Sequence, residues 1–180
     1  MKLIILSATL LLARVPALAQ NSLAWVLVQS TLAYQASSPV HEVKGVSHAA
    51  KGKGVCSKGM CDFLMAAPVK SFDSGDTNRD LHMLEATRGA DFPMVVVRAR
   101  FSDSELSAPT IYADLEVQFA GQTAHYTHVA FQRTEQGGEI HIAGTVPATC
   151  SDFKIVRPTF LGMSISNDIP VTVDATWRRM

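Results

Sequence analysis

Neither sign of charge is in excess in this chain: 16 Lys and Arg face 16 Asp and Glu over 180 residues. Nucleic-acid binders usually carry a basic stripe; none is present, so no nucleic-acid partner is expected. Cysteine is scarce, with three in all, which excludes a disulfide-dense secreted scaffold. There is no Asn-x-Ser/Thr sequon, no Gly-x-Ser-x-Gly, no phosphate loop and no nucleophile set beside a base. The chain is therefore read as a non-enzyme. The six histidines lack the spacing of a zinc site. His125 and His128 are three apart on a strand, which places them on opposite faces. His41 and His48 flank Gly45 in a stretch that reads as loop. No metal and no cofactor are expected.

Long apolar runs are also lacking, with one exception. Leu3 to Ala13 is apolar, follows Lys2 and precedes the small-x-small triplet Ala17-Leu18-Ala19. The run is shorter than the ~20 residues of a membrane span. It reads as a signal peptide over residues 1–19, cleaved after Ala19, which makes the protein periplasmic or secreted. Cleavage would remove Lys2 and Arg14 and leave 14 basic and 16 acidic residues, a net charge of −2. Residues 20–180 then form one domain, since a chain of about 150 residues buries roughly 70% of its surface.

What is present is a succession of short strands. "AWVLVQSTLAYQAS" is rich in β-branched and aromatic residues, with a polar break at Gln29-Ser30. "GVCSKGMCDFLMAAPV" reads as two strands around a Ser-Lys-Gly turn. "FPMVVVRARFS" starts a strand after Pro93. "TIYADLEVQF" and "AHYTHVAFQR" flank Ala120-Gly121-Gln122 as a hairpin. "GGEIHIAGTVPAT" opens on a Gly-Gly turn. "IPVTVDATWRR" closes the chain with Val171, Val173, Ala175 and Trp177 on one face. The pattern is that of an all-β antiparallel sandwich or barrel.

One segment breaks this pattern. "SFDSGDTNRDLHMLEATRGADFP", residues 71–93, crowds Asp73, Asp76, Asn78 and Asp80 together. A calcium loop beginning at Asp76 would need Gly at its sixth position and Glu at its twelfth, where Leu81 and Thr87 stand. The helical reading fits better. Thr77 is the expected N-cap, with Asp80 reaching back from N3 as a capping box. Leu81, Met83 and Leu84 give an apolar stripe, and Gly89 takes the terminating position. The expected helix covers 78–88. Asp76 and Asp80 lie in a solvated first turn, and His82 reads as a structural residue, with a place at a ligand mouth as the alternative.

Cys56 and Cys61 face each other across the turn Ser57-Lys58-Gly59-Met60. A disulfide between them is expected in an exported protein, with a redox pair and free thiols as the alternatives. Cys150 is left over, either buried or paired between molecules. Lys44, Lys51, Lys53 and Lys58 form a cationic cluster suited to anionic headgroups or simply to solvent.

The segment "SFDSGDTNRDLHMLEATRGADFPMVVV" resembles the YceI-like family of exported lipid-binding domains. The resemblance rests on Phe72, Asp73, Arg79, Asp80, His82, Met83, Phe92 and Pro93. It extends to Ser151-Asp152-Phe153, to the closing strand "DIPVTVDATW" and to the opening "WVLVQSTLAYQAS". The hairpin centre "FAGQTAHY" and the Cys56/Cys61 pair depart from the family pattern. The resemblance implies an extended eight-stranded antiparallel, lipocalin-like barrel with one short helix. It also implies a long isoprenoid lipid, for example a quinone, held along the axis. Transient membrane contact is a separate expectation for its partners. Alternation and the family motif nominate lining residues: Phe63, Met65, Val69 and Phe72; Met83 and Phe92; Val95, Val97, Val117 and Phe119; Phe131, Ile142, Val171 and Val173. The same pattern also serves a densely packed core. A redox accessory protein acting through Cys56 and Cys61 is the alternative function.

Overall fold

The structure is a computed structural model and describes residues 23–37, 42–157, 159–160 and 163–180. The expected signal peptide and His41 lie outside these residues. Period-2 alternation yields strands β1 (Leu23–Ser37), β2 (Glu42–Ser47), β3 (Lys51–Ser57), β4 (Met60–Pro68), β5 (Met94–Ser102), β6 (Thr110–Phe119), β7 (Gln122–Gln136) and β8 (Glu139–Val146), then β9 (Thr159–Phe160), β10 (Met163–Ser164) and β11 (Val171–Arg179). One α-helix, α1 (Thr77–Ala86), sits between β4 and β5. The main sheet runs β11-β8-β7-β6-β5-β4-β3-β1-β2, and β11 pairs again with β1. That second pairing closes an antiparallel barrel of eight strands. β3 pairs with the first part of β1, from Leu23 to Val26. β2 pairs with its last part, from Leu32 to Ser37. The stretch around Gly45, expected as loop, is thus a strand.

The turns follow their sequences. Lys58-Gly59, Ala120-Gly121 and Gly137-Gly138 all have positive φ at both central residues. This is the type I′ geometry that matches strand twist. Two bulges reset the alternation. In β1 the register shifts between Leu27 and Gln29, so Trp25 and Leu27 face inward, and then Ser30 and Leu32 do. The unpaired residue is Val28, just before the polar break at Gln29-Ser30. In β6–β7 the register shifts between Ala113 and Leu115. His128 takes φ 57 there and donates its backbone N–H to Asp114 Oδ1 at 2.9 Å. His125 and His128 are consequently both exposed, which corrects the opposite-face expectation. The extra residue of a bulge shifts the phase by one. His128 stacks on Tyr112 outside the barrel at 4.3 Å between ring centroids.

Helix α1 starts one residue earlier than expected. Asp76, not Thr77, is the N-cap: its Oδ1 accepts the Arg79 N–H at 3.0 Å. That hydrogen bond holds the Asp76 carboxyl below the usual carboxylate range. A carboxylate also gains from the positive end of the helix dipole, which a hydroxyl does not. Asp80 does not reach back to the cap; its Oδ1 accepts from the Ser74 N–H and hydroxyl at 3.1 and 2.6 Å. At the other end Arg88, not Gly89, takes the left-handed position, with φ 54. The N–H groups of Arg88 and Gly89 reach Glu85 O and Leu84 O at 3.1 and 2.7 Å, a Schellman arrangement. The Arg88 guanidinium donates to Ala120 O and lies 5.0 Å over the Phe92 ring. These contacts offset the strain of a non-glycine residue there. Leu81 points to solvent, 52% exposed, so the apolar stripe is narrower than expected.

Candidate functional site: an axial apolar cavity

Both ends of the barrel can be located from the strand directions. At one end lie the β3–β4 turn, the β7–β8 turn and the end of β11; at the other lie α1, the β6–β7 turn and the long connection 147–170. The first end is plugged by aromatic rings. Phe63 contacts Trp25, Phe101 and Trp177, with centroids 6.4, 5.4 and 4.8 Å apart. Gly54 makes room for this cluster. It pairs with both Trp25 and Phe63, and a Cβ there would come within 2.6 Å of the Phe63 ring.

From this floor an internal cavity of about 1150 Å³ runs toward the other end. That exceeds the usual ~300–1,000 Å³ of small-molecule pockets. Thirteen of the fourteen nominated residues line it. Met65, Val97 and Val117 lie directly across β4, β5 and β6. Phe131 and Val173 both pair with Gly144, across β7, β8 and β11. Phe63, Val95, Phe119, Ile142 and Val171 also contribute from the strands. Val69, expected on a strand, begins a short 3-10 turn after β4 and is still 99% buried. Phe72 and Met83 line the mouth end. Phe92 does not reach the cavity; it is 38% exposed and lies beneath Arg88 and against Gly121.

Other lining residues were not nominated from sequence. Trp25, Leu32 and Tyr34 come from β1 on either side of its bulge, and Trp177 from β11. The alternation of Val171, Val173 and Trp177 could have found Trp177. Cys150, Phe153, Ile155, Ile165 and Ile169 come from the connection 147–170, whose sequence has no period to read. Phe153 meets Phe119 edge-on at 5.3 Å. Asp152 anchors this connection to the barrel. Its Oδ2 accepts from the Tyr126 hydroxyl at 2.7 Å and the Thr149 N–H at 2.9 Å. Burial pushes the Asp152 carboxyl up, but these hydrogen bonds bring it below its usual range. Burial and the Asp152 carboxylate push the Tyr126 phenol up.

Polar groups gather at the mouth. Asp76, Arg79, His82 and Glu85 of α1 border the cavity. Arg79 is held by Ser74, donating Nε to its Oγ at 3.1 Å and Nη2 to its carbonyl at 2.8 Å. His82 Nδ1 lies 3.4 Å from Glu85 Oε2, both well exposed. Burial, then Asp80, push the Tyr34 phenol up. Among the described residues no group of three or more His, Cys, Asp or Glu gathers as a metal set.

Cys56 and Cys61 are disulfide-bonded, directly paired across β3 and β4 with Cα atoms 4.0 Å apart. Both are almost wholly buried. They sit at the plugged end, away from the mouth. Cys150 is a buried free thiol, and burial pushes its pKa up. The lysines do not form one cluster: Lys44, Lys51 and Lys53 spread along β2 and β3, and Lys58 occupies the turn at the plugged end.

This is a closed antiparallel barrel around an apolar axial cavity, the architecture of a lipocalin-like barrel. Solved structures share the fold, and three illustrate it. BcnA of Burkholderia cenocepacia aligns with a TM-score of 0.70 at 12% identity, over 82% of this chain and 95% of its own. A polyisoprenoid-binding domain from Saccharophagus degradans, implicated in plant cell wall breakdown, gives 0.68 at 13% identity, over 88% and 99%. A YceI protein of Campylobacter jejuni gives 0.54 at 13% identity, over 64% and 70%. The YceI-like resemblance read from the sequence is thus matched at the level of the fold. No family model matches the chain, and no curated protein matches it.

Proposed function

We propose that the protein is a non-enzymatic carrier that holds a long isoprenoid chain, such as the tail of a quinone, inside the barrel. The observation that carries this reading is the cavity: about 1150 Å³, elongated along the barrel and lined almost throughout by aliphatic and aromatic side chains. Water needs two to four polar partners to occupy a buried site, and this lining offers few. An apolar chain gains roughly 0.8 kcal/mol per buried methylene. The fold shared with a polyisoprenoid-binding domain supports the same reading. The thirteen nominated lining residues would supply the contacts, and α1 would set the polar boundary at the mouth. The N-terminal run supports export to the periplasm or outside the cell. The alternative, a redox protein using Cys56 and Cys61, gains nothing from the geometry, since the disulfide is buried at the plugged end.

The test is gentle purification, native mass spectrometry and solvent extraction. The expected result is a stoichiometric isoprenoid lipid, or a rise in Tm when isoprenoid quinone is added, because a ligand that binds the native state alone stabilises it. No extractable lipid together with no Tm shift overturns the carrier reading.

A further inference from the structure

The connection between β8 and β11 lines the cavity on one side and carries exposed groups on the other that the cavity does not use. After Phe153 the chain turns through Lys154, which has φ 52, and emerges as Ile155, Val156 and Arg157. Ile155 faces the cavity. Val156, its neighbour, is 86% exposed, more than any other exposed large hydrophobic residue described. The chain then forms the hairpin β9–β10, a two-stranded sheet separate from the barrel. Ile165, just beyond it, returns to line the cavity. From Phe153 to Ile165 the sequence "FKIVRPTFLGMSI" contains two cations, Lys154 and Arg157, and no acid. The adjacent Asp152 is occupied by Tyr126 and Thr149.

We propose that this segment, centred on Lys154-Ile155-Val156-Arg157 and rimming the cavity mouth, docks on the surface of an anionic lipid bilayer. Apolar side chains flanked by cations are what an anionic membrane interface receives: the former enter the acyl boundary, the latter meet lipid phosphates. Arg157 is fixed for this, donating Nη1 to Ile165 O at 3.2 Å while its side chain remains exposed. A second copy of this chain or an acidic protein would also tolerate two cations. The position of Val156 favours the bilayer: it is exposed next in sequence to Ile155, which lines the cavity, so a membrane that receives Val156 would lie close to the mouth. The proposal rests on the carrier reading for its purpose, but its docking chemistry does not.

The experiment floats the purified full chain with vesicles of phosphatidylcholine alone, or of phosphatidylcholine with phosphatidylglycerol, neither containing isoprenoid. The expected result is binding to the anionic vesicles that weakens as salt is raised. Val156→Asp should reduce it at least tenfold. Lys154→Asn, which tolerates the left-handed backbone, should reduce it about fivefold, as expected for one cation at such a surface. Circular dichroism and Tm check that each variant is folded, and either variant alone carries the test. Failure of the native protein to float with anionic vesicles overturns the proposal, and so does binding that both folded variants leave unchanged. A dimer in sedimentation velocity that Val156→Asp dissociates, with no flotation, assigns the surface to a second copy instead. Extraction of bound lipid is measured in parallel. Docking without a bound chain defeats only the carrier reading, and a bound chain without docking defeats only this one.

Discussion

Single residues decide three local outcomes. Asp76 and Thr77 are adjacent candidates for the same cap, and both fit the sequence rule. The carboxylate prevails because it adds charge at the positive helix end to the hydrogen bond it accepts. Asp76→Ala should therefore lower Tm by more than Thr77→Ala, and calcium should shift neither. The opposite order in a thermal melt would return the cap to Thr77. The folded carboxyl of Asp76 is held low, so its contribution is present above the unfolded value of about 3.9 and is lost as pH falls through the folded pKa. Cys150 belongs to the same scale. Its thiol is buried and its pKa raised, and only thiolates alkylate. Iodoacetamide at pH 8 should label it far more slowly in the native protein than in denaturant; equal rates would contradict the burial. Arg88 shows why residue-level reading stops short. Gly89 is the residue sequence rules choose for the left-handed position, but a contact across the fold, from Arg88 to Ala120 O and the Phe92 ring, holds Arg88 there instead. The same contact explains why Phe92, nominated for the cavity, faces outward.

At the scale of elements, strands and turns were largely legible. Alternation marks a half-buried strand, and Lys58-Gly59, Ala120-Gly121 and Gly137-Gly138 mark tight turns. The bulges were not, because each is one unpaired residue with no glycine to flag it; they moved His128 outward and Tyr34 to the cavity wall. The connection 147–170 was illegible as a cavity wall for want of any period. It hangs on Asp152, and removing one partner should show this. Tyr126→Phe deletes a hydrogen bond to a carboxylate, worth about 1.5–3 kcal/mol in general, with the lower end expected for a partly exposed pair. The Asp152 carboxyl has a lowered pKa in the fold, so this anchoring is present above pH ~3.9 and lost as pH falls through the lower folded value. Hydrogen exchange across 147–157 should rise in the variant, and in the native protein at acid pH. Exchange indifferent to both would show that the connection is held instead by the packing of Phe153 and by bonds such as that from the Cys150 N–H to Asn167 O. The β3–β4 hairpin carries its own test. Its disulfide closes a loop of sequence separation 5, for which chain entropy gives about 2 kcal/mol. Cys56→Ser with Cys61→Ser should fold, lose about that much stability in urea titration, and retain any bound chain. Loss of cellular function with the fold and the bound chain intact would revive the redox alternative.

For the whole molecule, the decisive feature is that the residues pointing inward leave a channel instead of filling it. Sequence alternation nominated the inward face but was silent on whether that face interdigitates, because side-chain volume has to be judged against barrel diameter. Val97→Trp, placed on the cavity wall, tests the channel directly. The larger ring should occupy space that a chain would need, abolishing lipid recovery while costing no more than the roughly 1–3 kcal/mol of an overpacked core. Undiminished recovery in a folded Val97→Trp protein would place the bound chain elsewhere. The seam between β1 and β11 has a different kind of consequence. Trp25 pairs with Arg179 and Tyr34 with Val171, so the ring joins residues separated by most of the polypeptide. Contacts so distant form slowly, since loop closure must precede them. Until β11 arrives, β1 and β8 are bare sheet edges beside an exposed oily trough, the kind of surface on which chains template one another. Before it closes, the barrel is thus an aggregation hazard that β11 removes, and a chain ending before Val171 should accumulate as insoluble material instead of as a slightly weaker barrel.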